Sequence, residues 1–172
     1  MVIWLIGMSG AGKTTIARHL VERWRQVSPC VVHLDGDEVR EVFGQVDPET
    51  AYTVEGRREN SRRVSALCAL LDRQGVDVVC SLLSIFQDHR DANRARFGNY
   101  FEVYVDVPFD VLEARDSKGL YREARQGSRR HVVGFDIPFQ PPERPDLVIA
   151  NGEPPVDAEL AAESILRAAG VL

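Results

Sequence analysis

The chain has 172 residues, 44% apolar and 27% charged, with a formal net charge of −5 at neutral pH. That length fits one globular domain with a sizeable core, residues 1–172, and leaves little room for a second. An acidic balance argues against general nucleic-acid binding, and no apolar run approaches the roughly 18 residues of a membrane span. The N-terminal Met-Val-Ile-Trp-Leu-Ile-Gly has neither the basic leader nor the small-residue cleavage site of a signal peptide, so a cytoplasmic protein is expected.

Short apolar runs alternate with helix-like segments along the chain, which predicts an α/β fold with a mainly parallel sheet covered on both faces. The first strand, Val2–Ile6, runs into Gly7-Met-Ser-Gly-Ala-Gly-Lys-Thr14, a full match to G-x-x-x-x-G-K-[ST], and a helical pattern follows over 13–27. In that context glycines let backbone N–H groups turn toward an anion, and the helix N-terminus adds partial positive charge. Lys13 can reach β- and γ-phosphates and the Thr14 hydroxyl can ligate Mg²⁺, so a nucleoside-triphosphate site is expected here.

A second strand, Cys30–Leu34, leads into His33-Leu-Asp-Gly-Asp-Glu-Val-Arg40 and a helix over 37–43. Parallel sheets bind ligands at the carboxyl ends of their strands, so Asp35 and Asp37 should project toward the phosphates. A carboxylate there can hold Mg²⁺ or accept a proton from an attacking hydroxyl, and Arg40 can pair with Asp37 or with an anionic acceptor. Residues 44–53 lack periodicity. In the helix over 55–74, Val64, Leu67, Cys68 and Leu71 form the inward stripe, which runs back to Asn60 and Arg57 and leaves Arg58, Glu59 and Arg62 outside.

The third strand, Val76–Leu82, should end at the cleft, exposing Ser84-Ile-Phe-Gln87 there, before a helix over 88–97. A strand at Phe101–Val107, helices over 108–115 and 118–127, a strand at Leu147–Ala150 and a helix over 156–169 complete the pattern. Arg115-Asp-Ser-Lys-Gly-Leu-Tyr121 supplies basic groups that near a triphosphate can offset charge or stack on a base. The segment 128–144, rich in Arg, Gly and Pro, reads as a lid over the cleft. Cys30, Cys68 and Cys80 each lie in an apolar run without metal-ligand spacing and are expected as buried, reduced thiols.

Taken in order, G-M-S-G-A-G-K-T-T, L-D-G-D-E-V-R, R-R-E-N-S-R-R-V, R-D-S-K-G-L-Y and G-F-D-I-P-F-Q-P-P-E resemble the adenylyl-sulfate kinase family over about Val2 to Gly152. The resemblance implies a P-loop NTPase fold with five parallel strands, a lid, a homodimer and a place in sulfate assimilation. It implies ATP and Mg²⁺ as donor and cofactor, and the ribose 3′-hydroxyl of a nucleotide, adenylyl sulfate (APS), as acceptor. On that basis Gly7, Ser9, Gly10, Ala11, Gly12, Lys13, Thr14 and Thr15 bind ATP phosphates, and Arg115 lies by the adenine. Asp35, with Lys13 and Asp37, carries catalysis, and Thr14 and Asp35 hold the metal. Asp37, Arg40, Tyr52, Arg57, Asn60, Ser84, Ile85, Lys118 and Leu120 hold the acceptor.

Three departures fall in the acceptor half. The family commonly has F-S-x-x-D-R where this chain has Tyr52-Thr-Val-Glu-Gly-Arg57, and I-S-P-Y-R or I-S-P-H-R where it has Leu83-Ser-Ile-Phe-Gln87. It has F-T-G-I-D where this chain has Val132-Val-Gly-Phe-Asp136, losing the aromatic placed against the acceptor base. A relative acting on another pyrophosphate-linked nucleotide, such as cytidine diphosphoramidate, is the main alternative, and restoring arginine at Gln87 is expected to improve use of APS. Gluconate- or shikimate-type kinases lack the last two basic strings, and a GTP switch would need N-K-x-D, which is absent.

Overall fold

A computed structural model describes residues 1–116 and 118–172, so Ser117 of the Arg115–Tyr121 motif lies outside the described residues. Five strands, β1 (Val2–Ile6), β2 (Val31–Asp35), β3 (Asp77–Leu82), β4 (Tyr100–Asp106) and β5 (Leu147–Ala150), form one sheet in the order β2-β3-β1-β4-β5. Every pairing is parallel. The helices are α1 (Lys13–Trp24), α2 (Gly36–Val42), α3 (Pro48–Ala51), α4 (Val54–Asp72), α5 (Gln87–Arg96), α6 (Phe109–Arg115), α7 (Leu120–Arg125) and α8 (Ala158–Ala168).

Strand alternation divides the core in two. Ile3 and Leu5 of β1 face a cluster with Ile16, Leu20 and Trp24 of α1 and Ile165 of α8. Val2, Trp4 and Ile6 face the opposite way, toward Val39 of α2 and Val64 and Cys68 of α4. All five β1 residues are buried, which is why the strand reads as an unbroken apolar run. The chain leaves β1 across β3 toward β2, and leaves β3 across β1 toward β4. Connections departing in opposite directions open a crevice at the carboxyl ends of β1 and β3, the topological switch point of such sheets.

Four expectations need correction. The second strand runs one residue later than Cys30–Leu34, because Asp35 stays in register opposite Ser81 before capping α2. Cys30 therefore sits just outside the sheet and is exposed, unlike the buried Cys68 and Cys80. The 44–53 segment contains a single helical turn, α3, capped by the Asp47 side chain with Pro48 at its first position. The helix expected over 118–127 is trimmed to Leu120–Arg125, since Gly119 takes a left-handed conformation ahead of it.

Candidate active site

The loop between β1 and α1 wraps a single turn around the carboxyl end of β1. Gly10 and Gly12 adopt φ of 79° and 90°, values that a side chain would strain, and Gly12 serves as the left-handed N-cap of α1. A β-carbon on Gly12 would also lie 2.8 Å from Asn151 Nδ2. Lys13 Nζ reaches back to the Met8 carbonyl at 2.9 Å, across the mouth of the loop. Burial pushes the Lys13 amine down to about 8, while the Asp37 and Asp35 carboxylates pull it partly back.

Asp35 ends β2 and caps α2, its Oδ1 accepting the Asp37 N–H at 2.9 Å. Its Oδ2 accepts the Thr14 hydroxyl at 2.8 Å and the Ser81 hydroxyl at 2.9 Å. Burial works against the charge, but these three donors outweigh it and hold the carboxyl below its usual range. An ionised Asp35 therefore faces the loop at neutral pH. The Thr14 and Asp35 oxygens are hard donors side by side, and no group of three or more acidic, His or Cys ligands exists among the described residues. That pair suits Mg²⁺, which takes one or two protein oxygens and completes its shell with water and phosphate.

One cavity of about 390 Å³ joins this centre to most of the residues expected at the acceptor. Asp37, Arg40, Tyr52, Arg57, Lys118 and Leu120 line it together with Ser9, Gly10, Gly12, Lys13, Thr14, Thr15 and Asp35. Arg40 pairs with Asp37 at 2.8 Å, and Lys118 approaches the same carboxylate at 3.7 Å. The Tyr52 ring lies under both guanidinium groups, 4.8 Å from Arg40 and 5.4 Å from Arg57. Arg57 also donates to the Tyr52 carbonyl and to the lid at His131 O, both at 2.9 Å. Burial, and then Arg40, lower its pKa to about 10, which leaves it charged at neutral pH.

Several residues expected to touch ligand lie outside that cavity. Gly7 packs under β4, where a β-carbon would meet Val105 O at 2.7 Å, and Ala11 is buried in the core; both shape the loop. Arg115 turns away and donates to the carbonyls of Asn151 and Gly152 and to Glu153, so it clamps the segment after β5. Asn60 is fully buried, and its amide holds the Gly36 carbonyl at 2.9 Å. The inward phase of its helix is as read, yet Asn60 braces the start of α2 from behind. Ser84 and Ile85 line a smaller adjoining recess with Arg40, Arg57 and Phe86.

The tip after β3 is built differently from the expectation. Ser84 has φ of 53°, and its carbonyl is held by the guanidinium of Arg90, which is 1% exposed. Gln87 does not line the cavity; its Oε1 accepts from Arg90 Nε at 3.0 Å and Nη2 at 2.6 Å. The glycine at position 56 is likewise explained by packing. A β-carbon there would lie 2.1 Å from Thr50 O, so α3 occupies the space an acidic side chain would need.

Other residues that line or brace the cavity were not singled out from sequence. Ser81, Leu82 and Leu83 line the cavity from the end of β3, and Arg129, Arg130, His131 and Val133 from the lid. The strand-end rule could have supplied Ser81, and the arginine-rich run the lid cations. Asn151 gave no motif signal: its Nδ2 donates to Ala11 O and its Oδ1 accepts Val156 N–H, each at 2.9 Å. The 128–144 segment, expected as a lid, packs Phe135 against Phe109 and Tyr121, and Tyr121 donates its hydroxyl to Ser9 O at 2.8 Å.

Comparison with known proteins gives the family. The family model for adenylylsulphate kinase matches residues 1–150. The chain is 40% identical to an adenylyl-sulfate kinase of Synechococcus sp. (strain JA-3-3Ab), over 89% of this chain and 85% of that one. It is 39% identical to one from Rippkaea orientalis, over 97% of this chain and 88% of that one. The APS kinase CysC of Mycobacterium tuberculosis, solved in complex with AMPPNP and APS, superposes with a TM-score of 0.83 at 32% identity, covering 97% of this chain and 95% of that one. The chain belongs to the adenylylsulphate kinase family.

Proposed function

We propose that the protein transfers the γ-phosphoryl group of ATP to the ribose 3′-hydroxyl of adenylyl sulfate, releasing ADP. The observation that carries this reading is the single cavity in which Lys13, Thr14 and Asp35 face Arg40, Arg57, Lys118, Arg129 and Arg130. Six cations around two carboxylates match two polyanionic nucleotides meeting end to end, and the match to a kinase holding AMPPNP and APS supports the same pairing.

Phosphoryl transfer asks mainly for positioning and charge stabilisation. Backbone N–H groups of residues 9–14 and Lys13 would hold the β- and γ-phosphates. Thr14 and Asp35 would hold Mg²⁺, which supplies charge neutralisation between those phosphates when bound. Asp35 is held as a carboxylate by three donors, so its role is to orient the attacking hydroxyl and accept its proton late, when the oxygen has become acidic. Arg40 and Arg57 would grip the acceptor's anionic linkage. The docked lid excludes water that would otherwise hydrolyse ATP.

The lid presents Val133 to the cavity, and Tyr52 is the one phenyl-type ring on its lining among the described residues. That favours a second reading in which the acceptor is another pyrophosphate-linked nucleotide such as cytidine diphosphoramidate. ADP release measured with APS, with cytidine diphosphoramidate and with no acceptor separates the two. Stimulation by APS alone supports the first reading, stimulation by the cytidine compound alone replaces it, and equal release without acceptor removes both.

The protein is further inferred to work in the cytoplasm, in sulfate assimilation, as a homodimer. Among the described residues no helix is long and apolar enough to cross a membrane. Exposed Val42, Phe43, Val46 and Val54 supply apolar surface beside the acceptor side, and light scattering would read the assembly state.

A further inference from the structure

We propose that His33 is a positioning residue for Asp35, acting through Ser81. His33 Nε2 lies 2.8 Å from Ser81 Oγ, and Ser81 Oγ lies 2.9 Å from Asp35 Oδ2. The direction of this chain follows from counting protons. An ionised carboxylate can only accept, so the single hydroxyl proton of Ser81 goes to Asp35. The Ser81 oxygen must then accept from His33, which fixes the imidazole with its proton on Nε2.

The arrangement has a consequence for the reacting oxygen. Oδ2 takes the Thr14 and Ser81 hydroxyls, and Oδ1 takes the Asp37 N–H. One lone-pair direction remains on Oδ1, and a bound Mg²⁺ or an incoming hydroxyl has to meet the carboxylate there. Without a fixed donor at Ser81, Oδ2 would gain a free direction. Asp35 could then turn toward the Lys13 amine, whose charge it already feels. His33 thus keeps the open side of the carboxylate in one direction and off Lys13. Nothing in the fold requires histidine there: β2 is the sheet edge, His33 is half-buried, and its neighbours Val32 and Leu34 show that an aliphatic side chain fits the strand. Arg18 of α1 and Glu38 of α2 are the other charged groups around the ring, and neither takes its Nε2 proton.

The kinetic part of this inference rests on the phosphotransfer reading, so the test has an arm that needs no turnover. Long-range ¹H–¹⁵N spectra of the wild-type protein should show His33 protonated at Nε2, and Ser81→Ala should change that signal. A wild-type ring protonated at Nδ1 overturns the proposal even if the protein is an active kinase. Conversely, a protein that transfers no phosphoryl group sinks the kinase reading and leaves the spectrum to decide this one.

In steady state, His33→Leu should lower kcat about tenfold with both KM values within about twofold. His33→Gln, which can place an N–H near the same point, should recover most of that loss. The double variant H33L/S81A should be no slower than S81A, because the two residues act as one chain. Multiplied losses, or a fall in Tm with kcat intact, would overturn the proposal.

Discussion

At Asp35, three of about four acceptor directions on the carboxylate are taken by the Asp37 amide and the Thr14 and Ser81 hydroxyls. The same three donors that ionise it make it a weak base toward an unactivated alcohol. Its contribution is therefore felt in the transition state, and Asp35→Asn should lose transfer about 100-fold or more while ATP binding is largely kept, as isothermal titration alongside turnover would show. Near-normal turnover would remove the assigned role. Lys13 gives a second expectation. Burial lowers its pKa to about 8, and triphosphate oxygens beside it would raise that value again. The bound state then holds more protons than the free state above about pH 8, so nucleotide affinity should fall as pH rises through that value. Titrating a non-hydrolysable ATP analogue in buffers of different ionisation enthalpy should show proton uptake, and a flat affinity would exclude the shift.

At the scale of the element, the turn between β3 and α5 behaves as a unit. The Ser84 backbone sits in a left-handed conformation that costs roughly 1–3 kcal/mol, held by the buried Arg90 through the Ser84 carbonyl and Gln87 Oε1. An arginine introduced at Gln87 would remove an acceptor from a buried guanidinium and set a like charge beside it. Gln87→Arg is therefore expected to lower Tm and to leave kcat/KM for APS no better than wild type, which thermal unfolding and kinetics would check. From sequence the opposite outcome is expected, because an isolated motif position does not reveal which neighbour it serves. Asn60 teaches the same lesson: helical phase correctly turns it inward, but phase cannot say whether the inward side at that level is cleft or core.

At the scale of the whole molecule, the site is held from both ends of the chain. Asn151, just after β5, donates to the Ala11 carbonyl and fills the space that Gly12 leaves open. Arg115 clamps the same segment from α6. Replacing Asn151 with alanine should raise the KM for ATP about tenfold, with little change in the KM for the acceptor, since the lost bond supports only the phosphate loop. Equal effects on both substrates would indicate a general loosening of the fold. The 128–144 segment is held from two sides as well, by Arg57 at the His131 carbonyl and by Phe135 packed against Tyr121, whose hydroxyl donates to Ser9 O.

Apolar runs of five to seven residues, amphipathic spacing and the glycine-rich loop were sufficient to place the five strands, most of the helices and the turn between β1 and α1, because these depend on neighbours in the sequence. The short turn α3 was missed, because its four residues are too few to carry a helical period. What only the tertiary structure decided is which side chains share the cavity. Asn60, Gln87 and Arg115 carry the right chemistry at motif positions, yet each is taken up by a backbone carbonyl or a buried partner. Ser81 and Asn151 carry no motif, and His33 opens one without a role read for it; they reach the site because β2 and β3 lie in register and β5 ends behind the loop. Local pattern fixes the elements through burial and backbone hydrogen bonding, whereas the contents of a site depend on contacts between residues far apart in the chain.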